Sequence, residues 1–327
     1  MKAWQVVAHG EPKDAMVLND VDTPEPGPGQ LLVRVRAAAL NFPDVLLCRG
    51  EYQIRPPLPF TPGVELCGEI VALGEGVTGH AVGDRVLGTP ALPTGALAEY
   101  SLMATGDAFS APRSLGDAEA AALHIAYQTG WFGLHRRARL QAGETLLVHA
   151  GAGGVGSAAI QLGKAAGATV IAVVGGEAKV KVAEELGADV VIDRRTQDFI
   201  GAVKEATGGR GVDVVYDPVG GTAYAGSTKC IAFEGRILVV GFAGGTVPSP
   251  ALNHALVKNY SIVGLHWGLY KQYKPEMIHE AHTALTALAD AGVVAPLIGG
   301  RFTLAEAPEG LTRLGAGESV GRLVVLP

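Results

Sequence analysis

Residues 1 to about 110 consist of short apolar runs punctuated by glycine and proline. After PEPGPG at 24–29, a rigid bend, Leu31, Val33 and Val35 alternate with Leu32, Arg34 and Arg36 in the period-two pattern of a half-buried strand. GEIVALG at 68–74 and DRVLG at 84–88 read as further short strands, and together these runs predict a small closed β-domain. Between them, residues 41–65 (NFPDVLLCRGEYQIRPPLPFTPGVE) are too proline-rich to predict regular structure throughout and set polar groups among apolar ones. Long irregular segments in compact domains tend to carry function.

From Asp117 the period changes. DAEAAALHIAYQTGWFGL predicts helix, and then TLLVH (145–149), TVIAVV (169–174), DVVID (189–193), VDVVYD (212–217) and GRILVVG (235–241) recur as near-continuous apolar runs with helical stretches between them. Strands of that kind are buried on both faces, so the pattern predicts an α/β fold with a doubly wound parallel sheet ending near residue 257. A further run, YSIVGLHWG (260–268), precedes an amphipathic helix from about Pro275 to Ala291, and the chain closes with RFTL, a short helix and GRLVVL, segments expected to return to the first domain.

The first of the parallel strands breaks into AGAGGVG (150–156) and then into helix. Gly151 lets the backbone turn off the strand, Gly153 and Gly154 leave no side chain between main chain and a pyrophosphate, and Gly156 lets the helix pack close, with Val155 inside the same turn. The helix start directs its N–H groups and positive dipole end at the phosphates. Strand, glycine turn, helix and second strand fall within the roughly 30 residues of a βαβ unit. An NAD site usually carries an acidic residue about 20 residues past the glycines. Gly175 and Gly176 occupy that place, Lys179 lies in the next turn, and Arg194 and Arg195 follow the third strand, so the cofactor is read as NADPH, with Lys179 and Arg194 at its 2′-phosphate.

Composition changes this picture little. The 327 residues suffice for two domains; 48% hydrophobic and 18% charged residues with 46 glycines suit a turn-rich globular enzyme. A net charge of −6 without a Lys/Arg cluster argues against a nucleic-acid partner, and no apolar stretch has the length to cross a membrane, so a cytoplasmic protein is expected. Cys48, Cys67 and Cys230 form no C-x-x-C pair and are expected as buried, reduced thiols.

NFPD (41–44), GEY (50–52), TPGVELCG (61–68), GDRV (83–86), AGAGGVG (150–156), ELGAD (185–189), YDPVGG (216–221), GRILVVG (235–241) and the terminal GRLVVL, in that order and spacing, resemble the zinc-independent medium-chain dehydrogenase/reductases, in particular the quinone oxidoreductase and enoyl-thioester reductase branch. The resemblance runs the full length. It implies a GroES-like β-rich catalytic domain over 1–118, a Rossmann NADPH-binding domain over 119–257, and, over 258–327, a dimer-edge strand (within YSIVGLHWG) and a return to the catalytic domain, with the active site in the cleft where the domains meet and a homodimer as the assembly. Zinc-dependent relatives carry a Cys and a His where Asn41 and Val64 stand here, and their four-cysteine lobe is missing between 89 and 100, so no metal is expected. His279 and His282, three apart on a helix, have no third ligand nearby and read as a solvated face.

By the same resemblance Asn41 hydrogen-bonds the nicotinamide ribose or the substrate carbonyl, Thr129 lies against the nicotinamide, Gly241, Phe242 and Ala243 with Leu265 and Trp267 wall the ring's pocket, and Arg322 contacts the pyrophosphate. Glu65 and Asp44 are expected to hold their loop by hydrogen bonds. The implied activity is hydride transfer from NADPH to a quinone or other conjugated carbonyl, a small-molecule substrate. Two alternatives stand beside it: an enoyl-thioester reductase in which Tyr52 protonates the α carbon, a phenol staying protonated at neutral pH, and a non-catalytic NADPH-binding protein.

Overall fold

The computed structural model describes residues 1–327. Seven strands precede residue 111: β1 (Lys2–Val6), β2 (Met16–Asp20), β3 (Gln30–Ala39), β4 (Leu66–Leu73), β5 (Arg85–Gly88), β6 (Tyr100–Ala104) and β7 (Ala108–Ser110). Six follow the helical stretch: β8 (Thr145–His149), β9 (Thr169–Val174), β10 (Val190–Asp193), β11 (Val212–Asp217), β12 (Ile231–Val239) and β13 (Ser261–Gly264). β14 (Ile298–Thr303) and β15 (Arg322–Leu326) close the chain.

Two units result, Met1–Ile125 with His282–Pro327, and Ala126–Ala281. In the first, β1 and β2 pair by themselves, and a seven-stranded sheet runs in the order β14-β15-β3-β4-β5-β7, with β6 also on β3. Along β3 the alternation holds through Arg36: Val33 and Val35 face the core while Arg34 and Arg36 both reach Glu69 on the neighbouring strand, at 3.2 and 2.7 Å. Beyond Arg36 the strand is buried on both faces, as Ala37, Ala38 and Ala39 permit. The returning C-terminal strand β15 takes its place beside β3, antiparallel.

The second unit holds one parallel sheet in the order β10-β9-β8-β11-β12-β13. Numbered within the sheet this is 3-2-1-4-5-6, so strand order reverses between β8 and β11, and ligands of such sheets bind outside the carboxyl ends at that point. The fully buried TLLVH of β8 explains its unbroken apolar character.

Three expectations are corrected in detail. Residues 41–65 contain a regular helix, Phe42–Arg49, despite their prolines. Pro43 falls in the first turn, where a missing N–H costs nothing, and Gly50 closes the helix in the left-handed region at φ 71°. The strand read from GRILVVG begins earlier, at Ile231, and that read from YSIVGLHWG is confined to Ser261–Gly264. All three cysteines are buried thiols, and no helix is long and apolar enough to cross a membrane.

Candidate functional site

In the second unit the glycine turn lies at the carboxyl end of β8. Gly153 begins the helix Gly154–Ala165, and no side chain caps it, so the first-turn N–H groups remain available to an anion. A Cβ on Gly156 would lie 2.1 Å from the Ala150 carbonyl oxygen and 2.8 Å from its carbon, so helix and turn touch backbone to backbone. Gly151 is close-packed against side chains, with Ala172 and Ile160 at 3.0 and 3.1 Å from where its Cβ would be. The backbone contact leaves no room for a side chain at Gly156, and the residues of this turn fit a dinucleotide's pyrophosphate.

The adjacent carboxyl ends complete that face. Gly241 and Ala243 donate their N–H groups to Asp217 and Pro218, so the loop after β12 is laced to the loop after β11; Phe242 is exposed on it and Ala243 follows. The Asp217 carboxylate accepts from Val219 and Gly220, at 2.8 and 2.9 Å. Leu265 donates to Val239, and the Trp267 indole N–H donates to the Gln128 side-chain oxygen Oε1 at 3.2 Å, one residue before Thr129, which is buried on the helix His124–Trp131. His149, at the end of β8, hydrogen-bonds the Ser227 hydroxyl at 2.8 Å, and that hydroxyl donates to Ala223. Burial pushes the imidazole down to about 4, so it is neutral.

At the end of β9 the guanidinium of Arg194 lies 3.3 Å from where a Gly175 Cβ would be, and that of Arg195 lies 2.9 Å from a Gly176 Cβ. The glycine pair makes room for two cations. One carboxylate is also present: Asp193 accepts from the N–H groups of Gly176 and Arg195, at 2.9 and 3.0 Å, bonds that hold it below the usual carboxylate range. The sequence reading treated this place as free of acid; Asp193 lies at the end of the next strand and could be placed only by the sheet order. Lys179 lies in the first turn of the helix Glu177–Glu185.

In the first unit a polar cluster forms where three strands end together. β15 pairs with β3 as Val324 opposite Ala39, and continuing that register by two residues sets Arg322 opposite Asn41. β4 pairs as Leu66 opposite Ala38, which brings Glu65 to Ala39, whose N–H it accepts. The Glu65 carboxylate, 0% exposed, accepts from Ile125 N–H at 2.6 Å, from Asn41 Nδ2 at 2.9 Å and from Arg322 Nη2. Arg322, 5% exposed, also donates through Nη1 to Asn41 Oδ1 at 2.9 Å. Arg322, which the resemblance sets against a pyrophosphate, has its charge paired with Glu65 inside the first unit. Two isolated opposite charges within apolar strands, Glu65 in GVELCG and Arg322 in GRLVVL, are the sequence signal for this pair.

Asp44 accepts from Asn41 N–H at 2.8 Å and from Gly63 N–H at 3.0 Å. It is fully buried, and burial outweighs these bonds and Arg322, pushing the carboxyl up to about 7. A carboxyl that holds its proton more tightly folded than unfolded makes folding take up a proton. Its contribution to stability is therefore complete below about pH 4, the unfolded value, and is lost as pH rises through 7. Thermal melts of wild type and D44N from pH 4.5 to 8 are expected to show the wild-type advantage shrinking with rising pH; a constant difference would remove Asp44 as the titrating group. Tyr52, just past this helix, is half-buried against the core, and burial with nearby Asp44 raises its phenol, which keeps its proton.

No group of three or more His, Cys, Asp or Glu side chains is gathered to hold a metal ion. Asn41 and Val64 do not fit a zinc centre either, the one because its amide is bound within the cluster, the other because it has no donor.

A glycine cradle at the switch point of a 3-2-1-4-5-6 sheet defines a dinucleotide-binding protein of the Rossmann type. The model for the zinc-binding dehydrogenase domain matches residues 154–287, and that for the alcohol dehydrogenase GroES-like domain matches 27–113. Quinone oxidoreductase-like protein 2 homolog of Nematostella vectensis is 37% identical over 99% of this chain and 89% of its own. Escherichia coli quinone oxidoreductase, solved in complex with NADPH, is 29% identical with a TM-score of 0.92, covering 100% of both chains. A mycobacterial protein solved with NADPH is 32% identical with a TM-score of 0.93, again over 100% of both. The chain belongs to the medium-chain dehydrogenase/reductase family, in its quinone oxidoreductase branch.

Proposed function

We propose that this protein is an NADPH-dependent oxidoreductase that reduces quinones or other conjugated carbonyls without a metal. The observation that carries the reading is the uncapped helix start at Gly154, pressed onto its strand turn through Gly156. Gly151, Gly153, Gly154, Val155 and Gly156 hold the pyrophosphate, and Arg194 with Lys179 holds the 2′-phosphate. The guanidinium over Gly175 supports the latter, and Asp193, tied to two backbone N–H groups, leaves the local balance cationic. When bound, the dihydronicotinamide supplies a hydride to an electron-poor carbon.

The chain's own task is to orient and to exclude water. Thr129, Leu265, Trp267 and Gly241 to Ala243 wall the ring. A reduced quinone takes its protons from water, so Tyr52 is a packing residue for that substrate. The assembly is a homodimer joined along the edge strand β13, next to which the helix Leu252–Lys258 buries none of its residues and exposes Leu252, Leu256 and Val257. We place it in the cytoplasm.

The test is NADPH oxidation with a simple quinone and a short enoyl-CoA side by side, with NADH as the competing cofactor and Y52F as the variant. Quinone turnover with NADPH preferred, changed less than about threefold in Y52F, is expected, because an acid needed for catalysis would be worth about a hundredfold or more. Dominant enoyl-CoA turnover that collapses in Y52F overturns the quinone reading. Tight NADPH binding without turnover of either substrate overturns catalysis altogether.

A further inference from the structure

In the second unit the loops that leave β11 and β12 are joined by a clasp, and one side chain forms its base. Asp217 ends β11, is 2% exposed, and accepts the N–H groups of Val219 and Gly220 on the same oxygen, Oδ1, at 2.8 and 2.9 Å. Those two bonds fix the turn 218–221, and the turn in its place holds the loop after β12. Ala243 N–H donates to the Pro218 carbonyl and Gly244 N–H to the Val219 carbonyl, both at 3.0 Å, and Gly221 N–H donates back to the Thr246 carbonyl at 3.0 Å. Gly220, at φ 73°, completes the contact: a Cβ there would stand 2.9 Å from the Phe242 ring and 2.8 Å from the Thr246 carbonyl oxygen, so the loop sits against a bare α carbon. Residues 242–247 are all exposed. The loop has no buried core of its own, so the turn sets its position, and Asp217 sets the turn.

Sheet order decides which half of a dinucleotide meets this clasp. From β9 across β8 to β11 and β12, the carboxyl ends carry in turn the glycine pair with the Arg194 and Arg195 guanidiniums, the glycine turn, and the clasp. A dinucleotide with its 2′-phosphate at β9 and its pyrophosphate at the turn after β8 extends its reactive half over β11 and β12. We propose that Asp217 is a positioning residue that holds the clasp in place for the nicotinamide half of the cofactor, and that it acts through the acceptor Oδ1 and not through its charge. This rests on the reading of the second unit as an NADPH site. The adenosine half, on the other side of the glycine turn, is indifferent to Asp217. Asn carries the same acceptor at the same place, so a neutral side chain suffices, whereas Ala strips two N–H groups of the turn of their acceptor.

The test measures dissociation constants of wild type, D217A, D217N and G244A by isothermal titration, for NADPH and for 2′,5′-ADP, the part of the cofactor that lacks the nicotinamide half. Circular dichroism confirms that each variant is folded at the temperature used. G244A attacks the clasp from its exposed side, since the methyl would stand 2.9 Å from the Val219 carbonyl oxygen that the Gly244 N–H must reach. D217A and G244A are expected to bind NADPH about three- to tenfold more weakly, the worth of one hydrogen bond. Both are expected to bind 2′,5′-ADP within about twofold of wild type, a difference of under half a kcal/mol. D217N is expected to match wild type for both ligands. Unchanged NADPH affinity in D217A or G244A overturns the proposal, and so does equal weakening of both ligands, which marks general damage to the unit. A D217N as weak as D217A overturns the acceptor role, and wild type that binds NADPH no more tightly than 2′,5′-ADP overturns the placement of the nicotinamide half. If D217A does not fold, G244A decides: loss confined to NADPH supports the clasp, and no loss overturns it. Wild type that binds neither ligand would refute the NADPH reading itself, a different failure from binding both alike.

Discussion

Gly156→Ala is expected to weaken NADPH binding by about ten- to a hundredfold, the worth of one N–H···phosphate hydrogen bond to a charged group. The methyl would stand 2.1 Å from the Ala150 carbonyl oxygen, which is backbone and cannot rotate away. Helix or turn must move, and either movement displaces the uncapped N–H groups. Crowding of this kind also costs about 1–3 kcal/mol of stability. G106A is the control, since a methyl at Gly106 meets nothing within 4 Å, and surface changes of that kind stay within about 0.5 kcal/mol. Isothermal titration with NADPH and thermal melts read both effects, and unchanged affinity in G156A would remove the cradle as the phosphate site.

R322M is expected to destabilise the first unit by about 3–5 kcal/mol, the usual loss when one member of a buried ion pair is removed. Glu65 is already raised by burial and is held down chiefly by Arg322, so without it the carboxyl takes up a proton or remains an uncompensated charge. The double variant E65Q/R322M removes both charges and is expected to recover part of the loss. Urea denaturation of wild type, E65Q, R322M and the double variant measures the coupling. Additive losses would mean that the pair does not act as one.

How much of this was legible in the sequence depended on whether a feature was local. Gly151, Gly153 and Gly156 announce their turn together, Gly156 because no other residue tolerates its backbone approach, and the double-sided burial of β8 and β9 shows in near-continuous apolar runs. The helix Phe42–Arg49 was hidden by counting prolines instead of locating them: Pro43 lies where a helix accepts it. The Asn41–Glu65–Arg322 cluster was hidden for another reason. Its members are assembled by strand register, and neither the pairing of β15 with β3 nor that of β4 with β3 is written in any single stretch. Resemblance supplied Asn41 and Arg322 as site residues but not the buried pairing of Arg322 with Glu65, because a buried and an exposed arginine look alike in a string of letters. Asp193 was overlooked similarly, since the adjacency of β9 and β10 brings it to Gly176.

The return of β15 to β3 also sets the order in which the protein can be made. Asn41 and Arg322 are 281 residues apart, so at about 5–20 residues per second a ribosome needs roughly 15–55 s between them. The second unit is one continuous stretch and can close while synthesis continues. The first must wait, with Glu65 lacking its arginine and the Ala38–Ala39 end of β3 short of a neighbour, until Arg322 has been added. A nascent chain halted shortly before that point carries a finished nucleotide cradle and an unfinished first unit, and in that interval the open end of β3 at Ala38–Ala39 is what chaperones must shield.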